Sequence, residues 1–212
     1  MELSDCDLGV ASEGSFGAHP SIFFASADEE CLIFIDKKNN LEIIVRELSM
    51  ETNFNGKEIE TEKDLYDFAE SVKFPSHGLI LRKSKNNNKD IIKGVSDINQ
   101  LVEAFKKLLD KSSSIFAETD MRAMYNPSRM TVIENATKKL VDKINSCCPQ
   151  CNIPGFGITD LKKGLECGLC GSPTNSTLSL IYICQQCNFT KEEMYPNKKT
   201  NEDPMYCDYC NP

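Results

Sequence analysis

Cys148-Pro-Gln-Cys151, Cys167-Gly-Leu-Cys170, Cys184-Gln-Gln-Cys187 and Cys207-Asp-Tyr-Cys210 punctuate the last third of the chain. A Cys-x-x-Cys pair sets two thiolates at the tip of a tight turn, with the bite that one tetrahedral Zn²⁺ accepts. Two such turns facing each other close a Cys₄ site with no open position, which is the structural kind of zinc site. Fifteen residues separate Cys151 from Cys167 and nineteen separate Cys187 from Cys207, so both gaps fit a zinc ribbon. The spacing predicts two zinc ions. It favours the sequential pairing, 148/151 with 167/170 and 184/187 with 207/210. The rival is a nested arrangement in which 167/170 and 184/187 form the inner site.

Outward from this module, the 212 residues have room for one further domain. At 40% hydrophobic content the part before the cysteines can bury a core of its own. The expected division is an α/β domain over 1–146 and a double zinc-ribbon module over 147–212. No run of eighteen apolar residues suggests a membrane helix, and the start lacks a basic, then apolar, leader. The chain therefore reads as cytoplasmic, where thiols stay reduced and zinc is favoured over disulfides. Cys6, Cys31 and Cys147 are left over, with Cys31 expected in the core. The net charge is −8. From residue 147 onward five lysines face seven carboxylates, so the module lacks the basic face of a nucleic-acid tether.

Before the cysteines, Leu8-Gly-Val-Ala11 reads as a strand. It leads into Ser12-Glu-Gly-Ser-Phe-Gly17 and Ala18-His19-Pro20, expected as a glycine-rich loop. Its backbone N–H groups could face an anion; the plainer reading is a turn between strands. Residues 21–25 and the hairpin 31–48 supply further strands. Thr61–Val72 and Asp97–Leu109 carry apolar residues at helical spacing. Strands are expected at 77–83, 90–93 and 113–117. Asn126 is expected to cap a helix that starts at Pro127 and buries Met130, Ile133, Ala136, Leu140, Val141 and Ile144. The fold class is thus α/β, a mixed sheet with helices, followed by the small Cys₄ module.

Glu118-Thr-Asp-Met-Arg-Ala-Met-Tyr-Asn-Pro-Ser-Arg-Met130 is the densest polar stretch of this domain. It lies past a strand end, where ligands of open α/β sheets gather. Carboxylates suit a divalent cation such as Mg²⁺, and arginines suit a phosphate or carboxylate. Glu13, Glu118, Asp120 and Arg122 are the candidate catalytic residues. Ser12, Gly14, Ser15, Gly17, His19, Asn126 and Arg129 are the candidate ligand contacts. The plainer reading of the 118–129 cluster is an ion-pair network that fixes the loop to the sheet. His19, before a proline in a turn, has a structural reading too.

Five motifs together resemble a bacterial protein family of unknown function: Ala11-Ser-Glu-Gly-Ser-Phe-Gly-Ala-His-Pro20, Glu118–Met130, Cys148-Pro-Gln-Cys…Pro-Gly-Phe-Gly157, Cys167-Gly-Leu-Cys-Gly-Ser-Pro-Thr174 and Cys-Asp-Tyr-Cys-Asn-Pro212. The resemblance spans nearly the whole chain and implies no activity. Members of that family carry a further strand and helix before the stretch matching Leu8, and this sequence begins without them. A fainter similarity is to house-cleaning nucleoside-triphosphate pyrophosphatases, where an acidic loop binds Mg²⁺ and an arginine-bearing segment binds nucleotide. Two functions follow as expectations. One is a Mg²⁺-dependent enzyme of phosphate chemistry on a small phosphorylated or anionic ligand, braced by structural zinc. The other is a non-enzymatic zinc-ribbon adaptor for a protein or a structured nucleic acid.

Overall fold

Glu62 to Ser71 forms the first helix, α1, because Thr61 caps it and Leu65, Phe68 and Ala69 recur on one face. The Thr61 hydroxyl accepts the Asp64 N–H at 3.1 Å. Helix α2 (Ile98–Leu109) is built the same way, with the Asp97 carboxylate accepting two N–H groups of its first turn. These expectations hold in a computed structural model that describes residues 5–110 and 112–212. It shows an α/β protein with three helices and three sheets among the described residues.

Both helices share a core with a four-stranded sheet. Its strands are β4 (Gly56–Ile59), β5 (Leu79–Arg82), β6 (Ile91–Val95) and β7 (Ile115–Thr119), in the order β4-β7-β5-β6. The three ladders are antiparallel. Strand β7 is central, so Ile115, Ala117 and Thr119 are buried on the helix-facing side. Leu65, Phe68, Leu101 and Phe105 fill the space above Ile59, Leu79, Leu81 and Ile115. Strand β4 was not expected from the sequence. Its Gly56-Lys-Glu-Ile59 lacks the β-branched run that marks a strand.

A second sheet holds β1 (Leu8–Ala18), β2 (Ser26–Asp36) and β3 (Leu41–Ser49), in the order β1-β2-β3. It corrects two expectations. Ser12–Gly17 continue strand β1 and form no loop. Gly14 fits there because a side chain would collide with Arg129 and Glu30. Residues 21–25 form a turn, not a strand: His19 Nδ1 accepts the Ser21 and Ile22 N–H groups, each at 3.1 Å. Phe23 and Phe24 are left exposed at its tip.

The third sheet, order β10-β9-β8, lies among the cysteines. Its strands are β8 (Ile158–Lys163), β9 (Thr177–Ile183) and β10 (Thr190–Met194). Helix α3 (Pro127–Asn145) begins at the expected cap, the Asn126 side-chain oxygen accepting the Arg129 N–H at 3.0 Å. Val132, Ala136 and Leu140 are its buried residues, whereas Met130 and Val141 of the expected stripe are about half exposed.

The chain divides into two units. One gathers residues 1–9, 34–43 and 139–212, and the other residues 10–33 and 44–138.

Candidate metal centres and an arginine-lined cavity

Each cysteine pair sits on one local design. The residue after the second cysteine turns its N–H back to the carbonyl of the first: Asn152 to Cys148 at 2.8 Å, Gly171 to Cys167 at 2.9 Å, Asn188 to Cys184 at 3.0 Å, Asn211 to Cys207 at 2.8 Å. Three of these four residues have positive φ, namely Asn152, Gly171 and Asn188. Asn and Gly are the residues that adopt that region at least cost. The recurring Cys-x-x-Cys-Asn/Gly is therefore a turn instruction as well as a ligand pattern.

The turns meet in two tetrads, Cys148/Cys151/Cys184/Cys187 and Cys167/Cys170/Cys207/Cys210, with the sulfurs of each tetrad within 4.8 Å of one another. In the first, Cys148 Sγ lies 3.7 Å from Cys187 Sγ and Cys151 Sγ lies 3.6 Å from Cys184 Sγ. In the second, the 167–210 and 170–207 distances are 3.8 and 3.6 Å. Four sulfurs placed about 2.3 Å from a tetrahedral zinc would be about 3.8 Å apart, so both tetrads fit the ion. The pairing is crossed, neither sequential nor nested. Strand order explains why spacing misled: β9 runs straight into Cys184, and β8 follows Cys148/Cys151 and pairs with β9. Phe156 then packs against Cys148, Cys184, Tyr182 and Phe189.

The thiolate is the form that binds zinc. The backbone N–H groups of Cys187 and Gln186 bring Cys184 down to about 6, while burial and the other sulfurs of the tetrad push its neighbour Cys151 up to about 12. The Ser172 hydroxyl and backbone N–H bring Cys170 down to about 6. Outside the tetrads, Cys6 and Cys147 are exposed and Cys31 is only partly buried.

In the other unit, strand β7 and the loop after it carry Glu118, Asp120 and Arg122. Asp120 is fully buried, and both of its oxygens are occupied. Oδ1 accepts Arg122 N–H at 3.1 Å and Nε at 2.9 Å. Oδ2 accepts Arg122 Nη2 at 2.6 Å and the Gly94 N–H at 3.1 Å. The Asp120 carboxylate raises the Arg122 pKa. Glu118 is tied to Arg82 by a short ion pair. Arg129 donates to Glu30 Oε1 and to the Met121 carbonyl, each at 2.6 Å, and lies 4.9 Å over the Phe16 ring. Every arginine of the cluster thus holds a carboxylate.

A cavity of about 330 Å³ opens on this network. It is lined by Phe16, Phe54, Lys93, Glu118, Asp120, Arg122 and Arg129, among others. The structure therefore gathers Glu118, Asp120, Arg122 and Arg129, as the sequence pattern expected. It does not bring Glu13 to them. Strand alternation aims Gly14 and Phe16 at Arg129 and sends Glu13 and Ser15 to the opposite, exposed side; Ser12 shares the face of Gly14 but is itself exposed. Gly17 has open space where a side chain would be. Asn126 holds the Asn53 side chain at 2.8 Å and the start of α3. His19 holds its own turn. Among the described residues, only the cysteine tetrads draw three or more candidate ligands together, so Glu13, Glu118 and Asp120 form no such cation cluster.

Lys93, Phe16, Phe54 and Glu30 were missed. Glu30 was hidden because Ser26-Ala-Asp-Glu-Glu30 has no apolar alternation, yet Asp28 and Glu30 are buried on one face of β2. Burial, with Glu30 beside it, raises Asp28 to about 6. Asp28 Oδ1 and Glu30 Oε2 are buried without a hydrogen-bond partner.

The chain is an α/β protein with two crossed cysteine tetrads, each able to hold a metal ion, and an arginine-lined cavity. Over residues 1–212 the chain matches the family described as "Domain of unknown function (DUF6671)", and it belongs to that family. Neither a curated protein nor a solved structure matches it. Among the described residues no helix is long and apolar enough to cross a membrane.

Proposed function

We infer that the cavity of residues 10–33 and 44–138 binds a small phosphorylated or anionic ligand, with the zinc module serving as a structural brace. The observation that carries this reading is the cavity itself, where two aromatic rings and three cationic side chains converge. Arg122 keeps about half of its side chain exposed while its Nε and Nη2 hold Asp120, which leaves Nη1 for a ligand oxygen. Lys93 is exposed on the same rim. Phe16 and Phe54, 6.1 Å between centroids, offer faces to a planar ring. A nucleotide or a phosphorylated aromatic metabolite satisfies all of these groups together. With both carboxylates already paired to arginines, Mg²⁺ would enter on the phosphate oxygens, and Glu118 is the carboxylate beside them. Hydrolysis of that phosphate is the reaction the arrangement would serve, by positioning and charge neutralisation.

The test is a panel of nucleotides and phospho-metabolites, with and without Mg²⁺, followed by chemical-shift perturbation. The expected result is shifts at Phe16, Phe54, Lys93 and Arg122, with binding weakened in Lys93→Ala and zinc content unchanged. No shift from any panel member would show that the network is a brace for the loop. The adaptor reading would then stand. It has its own support in the exposed Leu169 and Tyr209, which lie inside two Cys-x-x-Cys turns of the second tetrad.

A further inference from the structure

His77 and Ser128, far apart in sequence, meet at a second cavity of the same unit. His77 is buried, with 5% of its surface exposed, just before strand β5. Ser128 is the second residue of helix α3. His77 Nε2 lies 2.9 Å from Ser128 Oγ, and the Ser128 N–H lies 3.3 Å from the same nitrogen. On the other side of the ring, His77 Nδ1 lies 3.0 Å from Ser76 Oγ.

The tautomer follows from the proton count. The Ser76 hydroxyl donates its one proton to the Lys73 carbonyl at 2.6 Å. Its oxygen can then only accept, so Nδ1 carries the imidazole proton and Nε2 presents a lone pair. That lone pair faces the Ser128 hydroxyl. Nucleophile, base and a hydroxyl that orients the base thus stand in hydrogen-bonded sequence, which is the arrangement that activates a serine.

Ser128 opens on a cavity of about 310 Å³ whose walls include Ser49, Glu51, Thr52, Lys73, Thr131 and Asn135. None of its lining residues belongs to the arginine-lined cavity. Burial first, then the nearby Lys73 charge, lowers the His77 pKa, so the ring is neutral and able to accept a proton at physiological pH. Lys73 itself holds φ at +68°, a region a non-glycine residue rarely adopts, which brings strain to the rim of this cavity.

We propose that Ser128 and His77 form a nucleophile–base pair that cleaves small polar esters, with Ser76 as a positioning residue and Lys73 facing the developing oxyanion. Ser128 Oγ bonds to the ester carbonyl carbon as its proton passes to His77 Nε2. The C–O bond to the alcohol breaks and the alcohol leaves with that proton. Water, giving a proton to the same nitrogen, then hydrolyses the acyl-serine and restores Ser128. The polar walls and limited volume select a short acyl group over a long chain.

The proposal is tested on the full-length zinc-loaded protein with a fluorophosphonate, which forms an O–P bond to an activated serine and releases fluoride, and with p-nitrophenyl acetate. Peptide mapping should find the adduct on Ser128, and Ser128→Ala should lose both adduct and hydrolysis. His77→Gln keeps an acceptor for the Ser128 N–H but cannot act as a base, so labelling should fall about 10²-fold or more while the fold persists. The wild-type labelling rate should rise with pH through a midpoint below the ordinary imidazole value. Ser76→Ala should move that midpoint lower, which a purely structural hydroxyl would not do. An unlabelled Ser128 in zinc-loaded wild-type protein, or His77→Gln labelling at the wild-type rate, would overturn the proposal and leave His77 as a cap on helix α3. Neither result bears on nucleotide binding at the other cavity.

Discussion

The crossed pairing of the cysteine turns can be tested by counting zinc in two double variants. In Cys148→Ser/Cys184→Ser both substitutions strike one crossed tetrad and leave the other with four ligands. In Cys148→Ser/Cys167→Ser they strike both tetrads. Crossed pairing therefore predicts one zinc in the first variant and none in the second. Sequential pairing predicts none and then one, and nested pairing predicts none in either. Loop closure does not forbid the crossed arrangement. The loops closed by Cys151–Cys184 and Cys170–Cys207, 33 and 37 positions, are about twice those of sequential pairing. Each doubling costs only about 0.6 kcal/mol. The two sites together thus lose about 1 kcal/mol of chain entropy, against about 10–16 kcal/mol supplied by each structural zinc. Strand pairing easily outweighs that difference. Native mass spectrometry of freshly reduced protein counts the ions directly. One zinc in Cys148→Ser/Cys167→Ser would refute the crossed assignment.

Two further outcomes are expected. Chelation should remove amide protection from residues 139–212 and also from 34–43, which belong to the same unit, while residues 56–119 keep theirs; hydrogen exchange read by mass spectrometry checks this, and equal loss throughout would mean that metal supports the whole chain. Asp28→Asn should stabilise the protein above pH 6 by about 3 kcal/mol, because the folded state lifts this carboxyl from 3.8 to about 6. The folded form binds the extra proton, so wild-type stability falls as pH rises between those values, and the advantage of the variant should vanish below about pH 4; denaturant melts at pH 4 and pH 7 would show it.

Both helices with strong apolar stripes were legible in the sequence, and so was the cap at Asn126. Each depends on neighbours three or four positions away, and that information is local. The cysteine turns were legible for the same reason, since each is specified within five residues, down to the Asn or Gly after the second cysteine. Which turns face each other was not. That choice belongs to β9, whose neighbours in the sheet lie on both sides of it in sequence, and spacing alone cannot report a strand pairing.

The misreading of Ser12–Gly17 has a similar cause. Glycine and serine in a row look like a loop when only local conformational freedom is weighed. In the structure Gly14 is a glycine because Arg129 and Glu30 fill the place of its side chain. The partner that makes the choice lies more than a hundred positions away on helix α3. The same logic governs the cavity: Arg122, Arg129 and Asp120 could be read from one polar segment, but Phe16, Phe54 and Lys93 reach it from three other strands and loops. A residue's type announces chemistry that it carries by itself. The role of Glu30, which neutralises a buried arginine, exists only once β2 and α3 are side by side, and no window of sequence contains both.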